Sequence, residues 1–503
     1  MQPIACIKIS SSMCYVILLK SYPRIFFNMT MSRKFKILFL AVFLLSFLLR
    51  LGLTLVNRQA NDDHTRVVEL ILQTNKLPIT SACGECFQPK LYHFTAAMIV
   101  ESLGLANTSR SNLILAIQFV NFVAGLVTLV IVWIFIYKLP FKNELLKLLA
   151  FALAALNPAL IGINAQATND TFAILFSTLA LYFAYIFCQK PKIGTFLLIL
   201  LFTLLGIASK SNAWVTAISI LLVLLTQIYF RKTSLKKAVI FSTAFLILVP
   251  TLTILNPLNQ YIVNYRIYGT PVTSRSRPPL PYLFRYTPGC EPKNKDCRPG
   301  ILSVKSGFFT FRYISLLENP RNEGVSEGYP AFQTSFWTFM YAGAHSIHFL
   351  NYPDTWTTSG TQGFAISRGI FILALLPTIL ILVGLAIEVL LLLKGSFRRD
   401  STSIQSTSHG LFAWTFVGYL LFVALYTYIW RDFSFMKAIF AFPALLTFPL
   451  LFLRAAEPLY KFLSGRSRLS TYLLDAGLIA LLILYVLDVS TMIIQIYQLK
   501  YML

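Results

Sequence analysis

The stretch MSRKFKILFLAVFLLSFLLRLGLTLV, residues 31–56, decides the fold, and NRQANDDH, 57–64, follows it directly. Arg33, Lys34 and Lys36 lead into an almost wholly apolar run, and the paired acids Asp62 and Asp63 with His64 come straight after it. An α-helix of about 20 residues crosses the ~30 Å hydrocarbon core of a bilayer. The run therefore reads as a membrane span. No small-residue cleavage site ends it, so a retained anchor is expected rather than a removed signal peptide. Residues 1–30 carry little organised signal and read as an N-terminal extension, untranslated or disordered, with Met29 or Met31 as the alternative start.

The same kind of run recurs along all 503 residues, near 112–137, 145–165, 171–188, 194–209, 213–230, 238–256, 369–393, 411–429, 436–453 and 470–497. The chain is 56% hydrophobic and 12% charged, with mean hydropathy +0.69, whereas a soluble chain carries about 25% charged residues. The expectation is an all-α polytopic membrane protein of about eleven transmembrane helices, of which the short pair over 194–230 is the weakest.

The net charge of +24 suggests nucleic acid at first sight, but the basic residues sit in short clusters between apolar runs. Lys138, Lys142 and Lys147, then Lys190 and Lys192, RKTSLKK at 231–237, KGSFRRD at 394–400, and Arg454, Lys461, Arg466 and Arg468 repeat the pattern of Arg33–Lys36. Simple alternation of helices puts every cluster on one face, and the positive-inside rule makes that face cytoplasmic. The N-terminus is then cytoplasmic as well. Two long segments fall on the outer face, 57–111 and 257–368, both expected to carry short amphipathic helices. Four parts follow: the extension 1–30, an N-terminal membrane module 31–256 containing the first outer loop, the outer loop domain 257–368, and C-terminal membrane helices 369–503.

Four of the seven cysteines, Cys83, Cys86, Cys290 and Cys297, lie in those outer loops. CGEC and CEPKNKDC each suit a small disulfide ring in an oxidising compartment, with zinc held by all four as the alternative. Cys188, near the inner face, reads as an inert thiol.

Asp62 and Asp63 are candidate acid–base groups, their bland reading being a cap for the amphipathic helix starting HTRVVELILQ. The same loop adds ECFQPKLYHF, residues 85–94, and the next outer turn adds NAQATNDTF, where Asn169 and Asp170 open a helix. A helix cap, or a nominal NDT glycosylation sequon, is the plain reading there. Asp488 lies inside the last apolar run, where helix–helix hydrogen bonding is the preferred account. In 328–349 an interfacial helix is expected with Trp337 and Tyr341 as anchors, and His345 with His348 are a weak metal pair.

Taken in order, these segments resemble the integral membrane glycosyltransferases of the GT-C superfamily, particularly the protein-mannosyltransferase and aminoarabinose-transferase-like branch. The acidic pair past the first helix matches Asp62 and Asp63. An acidic, Gln-Pro-Pro, Leu-Tyr-Tyr segment matches ECFQPKLYHF, with Lys90 in place of the second proline and His93 in place of the second tyrosine. A later Asn-Asp matches Asn169 and Asp170, a Gly…Lys-Ser turn matches GIASKSN with Lys210, and RDFSFMKAIFAFPAL matches a late basic-aromatic segment.

The resemblance implies transfer of a sugar from a polyprenyl-phosphate carrier to a glycan, lipid or protein acceptor at the outer face, with inversion. Asp62, Asp63 and Asp170 are then the catalytic candidates. His64, Glu85, Gln88, Tyr92, His93, Asn169, Lys210, Arg431 and Lys437 become the substrate-binding candidates. A carboxylate would accept the hydroxyl proton and favour an oxocarbenium-like transition state, while a cation would meet the departing lipid phosphate. Snorkelling is the plain account of Lys210, Arg431 and Lys437. In 257–368, Arg266, Arg275, Arg277 and Arg285 among aromatics suit sugar stacking and anion contacts. No metal set is assigned, and a divalent cation on Asp62, Asp63 and Asp170 is the alternative. A transporter or lipid flippase is the competing class, together with a catalytically silent scaffold. Transporters usually place charge near the bilayer midplane, whereas here the acids collect in the outer loops.

Overall fold

The computed structural model describes residues 32–58, 64–229, 235–271, 307–318, 320, 335–346, 362–398, 404–430 and 437–501. Among them no strand occurs. Helix α1 (Arg33–Val56) is followed by α2 (His64–Thr74) and α3 (Leu91–Ser102). Then come α4 (Arg110–Lys138), the bent pair α5 (Glu144–Ala155) and α6 (Pro158–Asn164), and the hairpin α7 (Asp170–Gln189) and α8 (Ile193–Ser209). Helices α9 (Trp214–Tyr229), α10 (Leu235–Leu255), α11 (Tyr261–Tyr268), α12 (Tyr313–Glu318) and α13 (Phe336–His345) follow. The chain closes with α14 (Gln362–Leu373), α15 (Leu375–Arg398), α16 (Ile404–Trp430), α17 (Thr447–Arg466) and α18 (Arg468–Tyr501).

Among the described residues seven helices are long and apolar enough to cross a bilayer, nine if each of two bent pairs counts as one span. The all-α membrane architecture is as expected, and these seven to nine spans do not confirm the count of eleven. The remaining two apolar runs form helices over 193–209 and 211–226, which are short for a full crossing. The bends have local causes. Asn157 ends the first half of one pair and caps the second, its side chain accepting from Leu160 N at 3.0 Å, with Pro158 in the first helical turn. The result is a 47° turn between α5 and α6, and the 3-10 segment Ala438–Ala444, containing Pro443, meets α17 at 78°.

Two ends of the bundle are chemically distinct. At one, the backbone N–H and hydroxyl of Ser32 donate to Glu144 (2.9 and 2.8 Å), and Lys142 N donates to Glu457 at 3.0 Å. At the other, Thr80 Oγ1 donates to Asn264 Oδ1 (2.8 Å), Gln260 Nε2 to Pro78 O (3.0 Å) and Lys90 N to Leu258 O (2.9 Å). These bonds seat the first outer loop on the turn after α10. Beneath it, Val67, Val68, Ile71, Tyr92, Ala96 and Val100 of α2 and α3 bury against Leu113, Ile117 and Phe172 of α4 and α7. The two outer helices are thus packed down on the membrane helices rather than merely tethered.

Within the span, Arg50 of α1 is completely buried. Its Nε donates to Asn164 Oδ1 (2.9 Å), and an Nη donates to Ala155 O (2.7 Å) and to the Ser46 hydroxyl. A charge in the bilayer needs such partners, and here they tie α1 to the α5–α6 bend. Gly125 of α4 faces the same point, where a Cβ would meet the Asn164 side chain at 2.4 Å.

Candidate active site

Helix α7 begins at Asp170 and α8 ends at Ser209, at the same end of the bundle as α2 and α3, so the hairpin delivers Asp170 and Lys210 to one place. Lys210 Nζ donates to Asp170 Oδ1 at 2.7 Å, and Thr168 Oγ1 donates to Oδ2 at 2.9 Å. Only 12% of the lysine side chain and 8% of the aspartate are accessible, so the pair is largely shielded from solvent. The Lys210 ammonium also lies over the Phe440 ring, 5.0 Å from its centroid. Asn212 Nδ2 reaches Phe440 O at 3.3 Å, fixing the 438–444 segment against the α8 end.

Asn169 is buried and does not cap its helix. Its amide nitrogen donates instead to Gln88 Oε1 (2.9 Å) and Ser209 O (3.0 Å), and Gln88 Nε2 donates onward to Glu85 Oε2 at 2.7 Å. A chain of contacts therefore runs from the ion pair back into the first outer loop. Burial of Asn169 removes the glycosylation reading of NDT, because a glycan acceptor must be accessible. The cap reading of Asp170 gives way too, since both its oxygens serve side chains.

The start of α3 holds three buried residues. Lys90 Nζ donates to Gln88 O at 2.6 Å and to Cys86 O at 2.5 Å. Tyr92 OH accepts from Asn121 Nδ2 (3.2 Å), and that same amide bonds Gln166 O (2.6 Å) and Thr168 O (2.7 Å). His93 Nε2 lies 3.0 Å from His64 Nδ1, with the two rings stacked. Burial, then the positive charges of His64, Lys90 and Lys210, push the His93 imidazole well below its ordinary range. Burial likewise pulls the Lys90 amine down to about 7, against the opposing pull of Glu85.

Of the sequence candidates, the fold gathers Glu85, Gln88, Asn169, Asp170 and Lys210 in one hydrogen-bonded group and Tyr92, His93 and His64 beside it. Lys437 adjoins through the 438–444 segment, its carbonyl accepting from Phe440 N at 3.1 Å. Asp62, Asp63, Arg431, Arg275, Arg277, Arg285 and His348 lie outside the described residues, as do Cys290 and Cys297. Cys83 and Cys86 form a disulfide, which overturns zinc held by four cysteines, because a bonded sulfur is not a free thiolate ligand. Cys188 is a buried thiol. Arg266 lies on α11, and Asp488 is completely buried on α18.

Two expectations for α13 are corrected. Tyr341 is not an interfacial anchor: it is buried, and its hydroxyl donates to Phe371 O at 2.5 Å. Trp337 does stay exposed, bonded to Phe308 O at 2.7 Å. Both His345 nitrogens are engaged, Nδ1 with Tyr485 OH at 2.5 Å and Nε2 with Thr378 Oγ1 at 3.1 Å, leaving neither for a metal. Between α13 and helices α15–α17 lies an apolar cavity of about 550 Å³, walled by Leu153, Met340, Leu382, Phe416, Phe442 and Phe452 among others.

Asn121, Thr168, Ser209 and Phe440 were missed as site residues. Only Asn121 had a signal, as a polar residue inside the apolar run of α4; the others are ordinary in type and matter only through what they touch.

An all-helical, membrane-embedded chain with a polar cluster at one end of its helices is the class that fold and site define. Within it, residues 103–255 match the family described as dolichyl-phosphate-mannose-protein mannosyltransferase, a span holding Asn169, Asp170 and Lys210. The resemblance to membrane glycosyltransferases read from short motifs is thus found independently over residues 103–255. No curated protein matches the chain significantly. Among solved structures it is similar to the S. cerevisiae protein O-mannosyltransferase Pmt1–Pmt2 complex bound to the sugar donor, at 14% identity and TM-score 0.37, over 55% of this chain and 39% of that one. The oligosaccharyltransferase AglB from Archaeoglobus fulgidus, with an inhibitory peptide and a dolichol-phosphate, gives 13% and 0.49, over 91% and 56%. ArnT from Cupriavidus metallidurans bound to undecaprenyl phosphate gives 12% and 0.34, over 86% and 79%. The chain spans well under two thirds of the first two, and overlaps this loose bear on neither mechanism nor substrate.

Proposed function

We propose that the protein transfers a sugar from a polyprenyl-phosphate carrier to an acceptor hydroxyl at the outer face of a membrane, with inversion at the anomeric carbon. The observation that carries this reading is the continuous group Glu85–Gln88–Asn169–Asp170–Lys210, which joins the first outer loop to the α7–α8 hairpin. It lies inside and beside the span that matches the mannosyltransferase family.

In the proposed reaction the acceptor oxygen attacks C1, the C1–O bond to phosphate breaks, and a carboxylate takes the hydroxyl proton. Asp62 or Asp63 is the proposed base, preceding the anchored His64 directly in the chain. Lys210 supplies positive charge to the departing phosphate, with Lys437 as a second cation at the same end. Asp170 and the Phe440 face hold Lys210 in position, so its cation is placed before substrate arrives, which is what electrostatic stabilisation requires. Asp170 is accordingly a positioning carboxylate rather than the base. The nearby apolar cavity is within the ~300–1,000 Å³ range of ligand sites and suits part of a hydrocarbon chain. Against transport, Arg50 and Glu388, charges buried inside the spans, are tied to partners that hold helices together.

The test uses membranes containing the full chain and a panel of polyprenyl-phosphate sugars, dolichyl-phosphate mannose first. Release of free lipid phosphate with sugar appearing on an acceptor is expected. Asp62→Asn or Asp63→Asn should lower the rate by about 10²–10⁴. Undiminished transfer in both variants, or no transfer from any donor, removes the proposal.

A further inference from the structure

Lys90 is a buried lysine that, among the described residues, bonds no carboxylate. Its side chain folds back along the loop that precedes it and donates to two backbone carbonyls, Cys86 O and Gln88 O. Its own N–H is held by Leu258 O at 2.9 Å. The loop between has fixed ends, with Cys86 bonded to Cys83 and Lys90 turned into α3. Between those ends Gln88 projects its side chain onto Asn169 and Glu85. Without a donor at the centre, two carbonyls would be left unpaired in a closed turn, each costing about 1–3 kcal/mol, and the loop would reopen to water.

We infer that Lys90 is a positioning residue of the site: its side-chain amine brackets the Cys86 and Gln88 carbonyls and so sets where Gln88 meets Asn169. The inference rests on the glycosyl-transfer reading for its consequence, but not for its geometry. A neutral amine offers two N–H donors and an ammonium three; the site offers two acceptors. The loop therefore suits the neutral form. Burial acts in the same sense, against the opposing pull of Glu85. His93, with His64 stacked on it and Lys210 beyond Asn169, lies on the same side, and Asp170 is already occupied by Lys210.

The sign of the pH effect follows. A closed-loop value near 7 lies below the ordinary lysine value of 10.5, so the open loop binds the proton more tightly. Closure is then favoured as pH rises from about 7 and lost as pH falls back toward it. Arginine, charged at every accessible pH, cannot substitute. Proline, which stands here in the resembling family, would lose the bond to Leu258.

The experiment follows the full chain in nanodiscs from pH 6 to 9, as wild type, Lys90→Met and Lys90→Arg. Two quantities are read: hydrogen exchange over residues 83–94, corrected for the intrinsic pH dependence of exchange, and transfer from dolichyl-phosphate mannose. Wild type should gain protection and rate on going from pH 6 to 9. Both variants should lose that pH dependence and transfer roughly ten- to a hundredfold more slowly, the order expected for a misplaced site. Protection over 110–138 serves as the folding control and should be unchanged. Equal protection in wild type and Lys90→Met, or a Lys90→Arg protein that behaves as wild type, overturns the inference. Absence of transfer in the wild type counts against the proposed function alone, because exchange still reports on Lys90.

Discussion

Asp170 and Lys210 are forty positions apart and meet at 2.7 Å. At the scale of single residues this pair is the centre of the candidate site, and its partners define what it can do. Lys210 has an aspartate on one side and an aromatic face on the other, so replacing either charged residue leaves the other uncompensated in a shielded place. Lys210→Met and Asp170→Asn should each lower transfer about 10²-fold. The double variant should be no worse than Lys210→Met alone, because residues within one network are not additive. Donor titrations of all three proteins check this. A double variant impaired by the product of the single effects would mean that the two act separately. The identities of both residues were legible in the sequence by position in a family pattern. Their pairing was not, because it depends on the length of the α7–α8 hairpin and the angle at which its ends converge.

At the scale of elements, close approach of helices depends on small residues. Gly384 of α15 faces α17 so tightly that a Cβ would lie 1.9 Å from Leu451 O, a backbone atom that cannot step aside. One turn further along α15, Glu388 accepts from Arg454 Nε at 2.5 Å, joining the same two helices. Gly384→Ala should therefore part α15 from α17 and cost about 1–3 kcal/mol or more. Gly477→Ala on α18, whose Cβ would find its nearest neighbour at 3.6 Å, should stay within about 0.5 kcal/mol of wild type. Thermal unfolding of the two variants in detergent separates them, and a Gly384→Ala protein as stable as the parent would refute the packing. The periodicity that announces helices carries no mark of which glycine lies in a contact, since that depends on the partner helix. Tyr341 shows the same limit from the other side: its type suggests an interfacial anchor, yet packing against Phe371 buries it.

At the scale of the whole molecule, hydrogen bonds join Ser32 to Glu144 and Lys142 to Glu457 at one end, and the candidate site lies at the other. The positive-inside rule names the basic end cytoplasmic. Cysteine-free chains carrying one new thiol at Ser234 or at Ser109 test this in intact cells with an impermeant maleimide. Ser109 should label from outside and Ser234 only after permeabilisation; the opposite pattern would turn the site toward the cytosol. Such an inversion would also remove the oxidising setting that the Cys83–Cys86 bond suits.

Sequence alone determined that this chain is helical and membrane-embedded, because covering a bilayer core takes long apolar runs and those are visible one residue at a time. It also showed basic clusters recurring between the apolar runs, since charge distribution is a property of order along the chain. Only the tertiary structure decided that Gln88 meets Asn169, that Lys210 is matched by Asp170, and that Lys90 is enclosed by its own loop. Those facts arise from helices brought together across tens of residues, and short-range hydrogen bonds have no counterpart in composition or spacing.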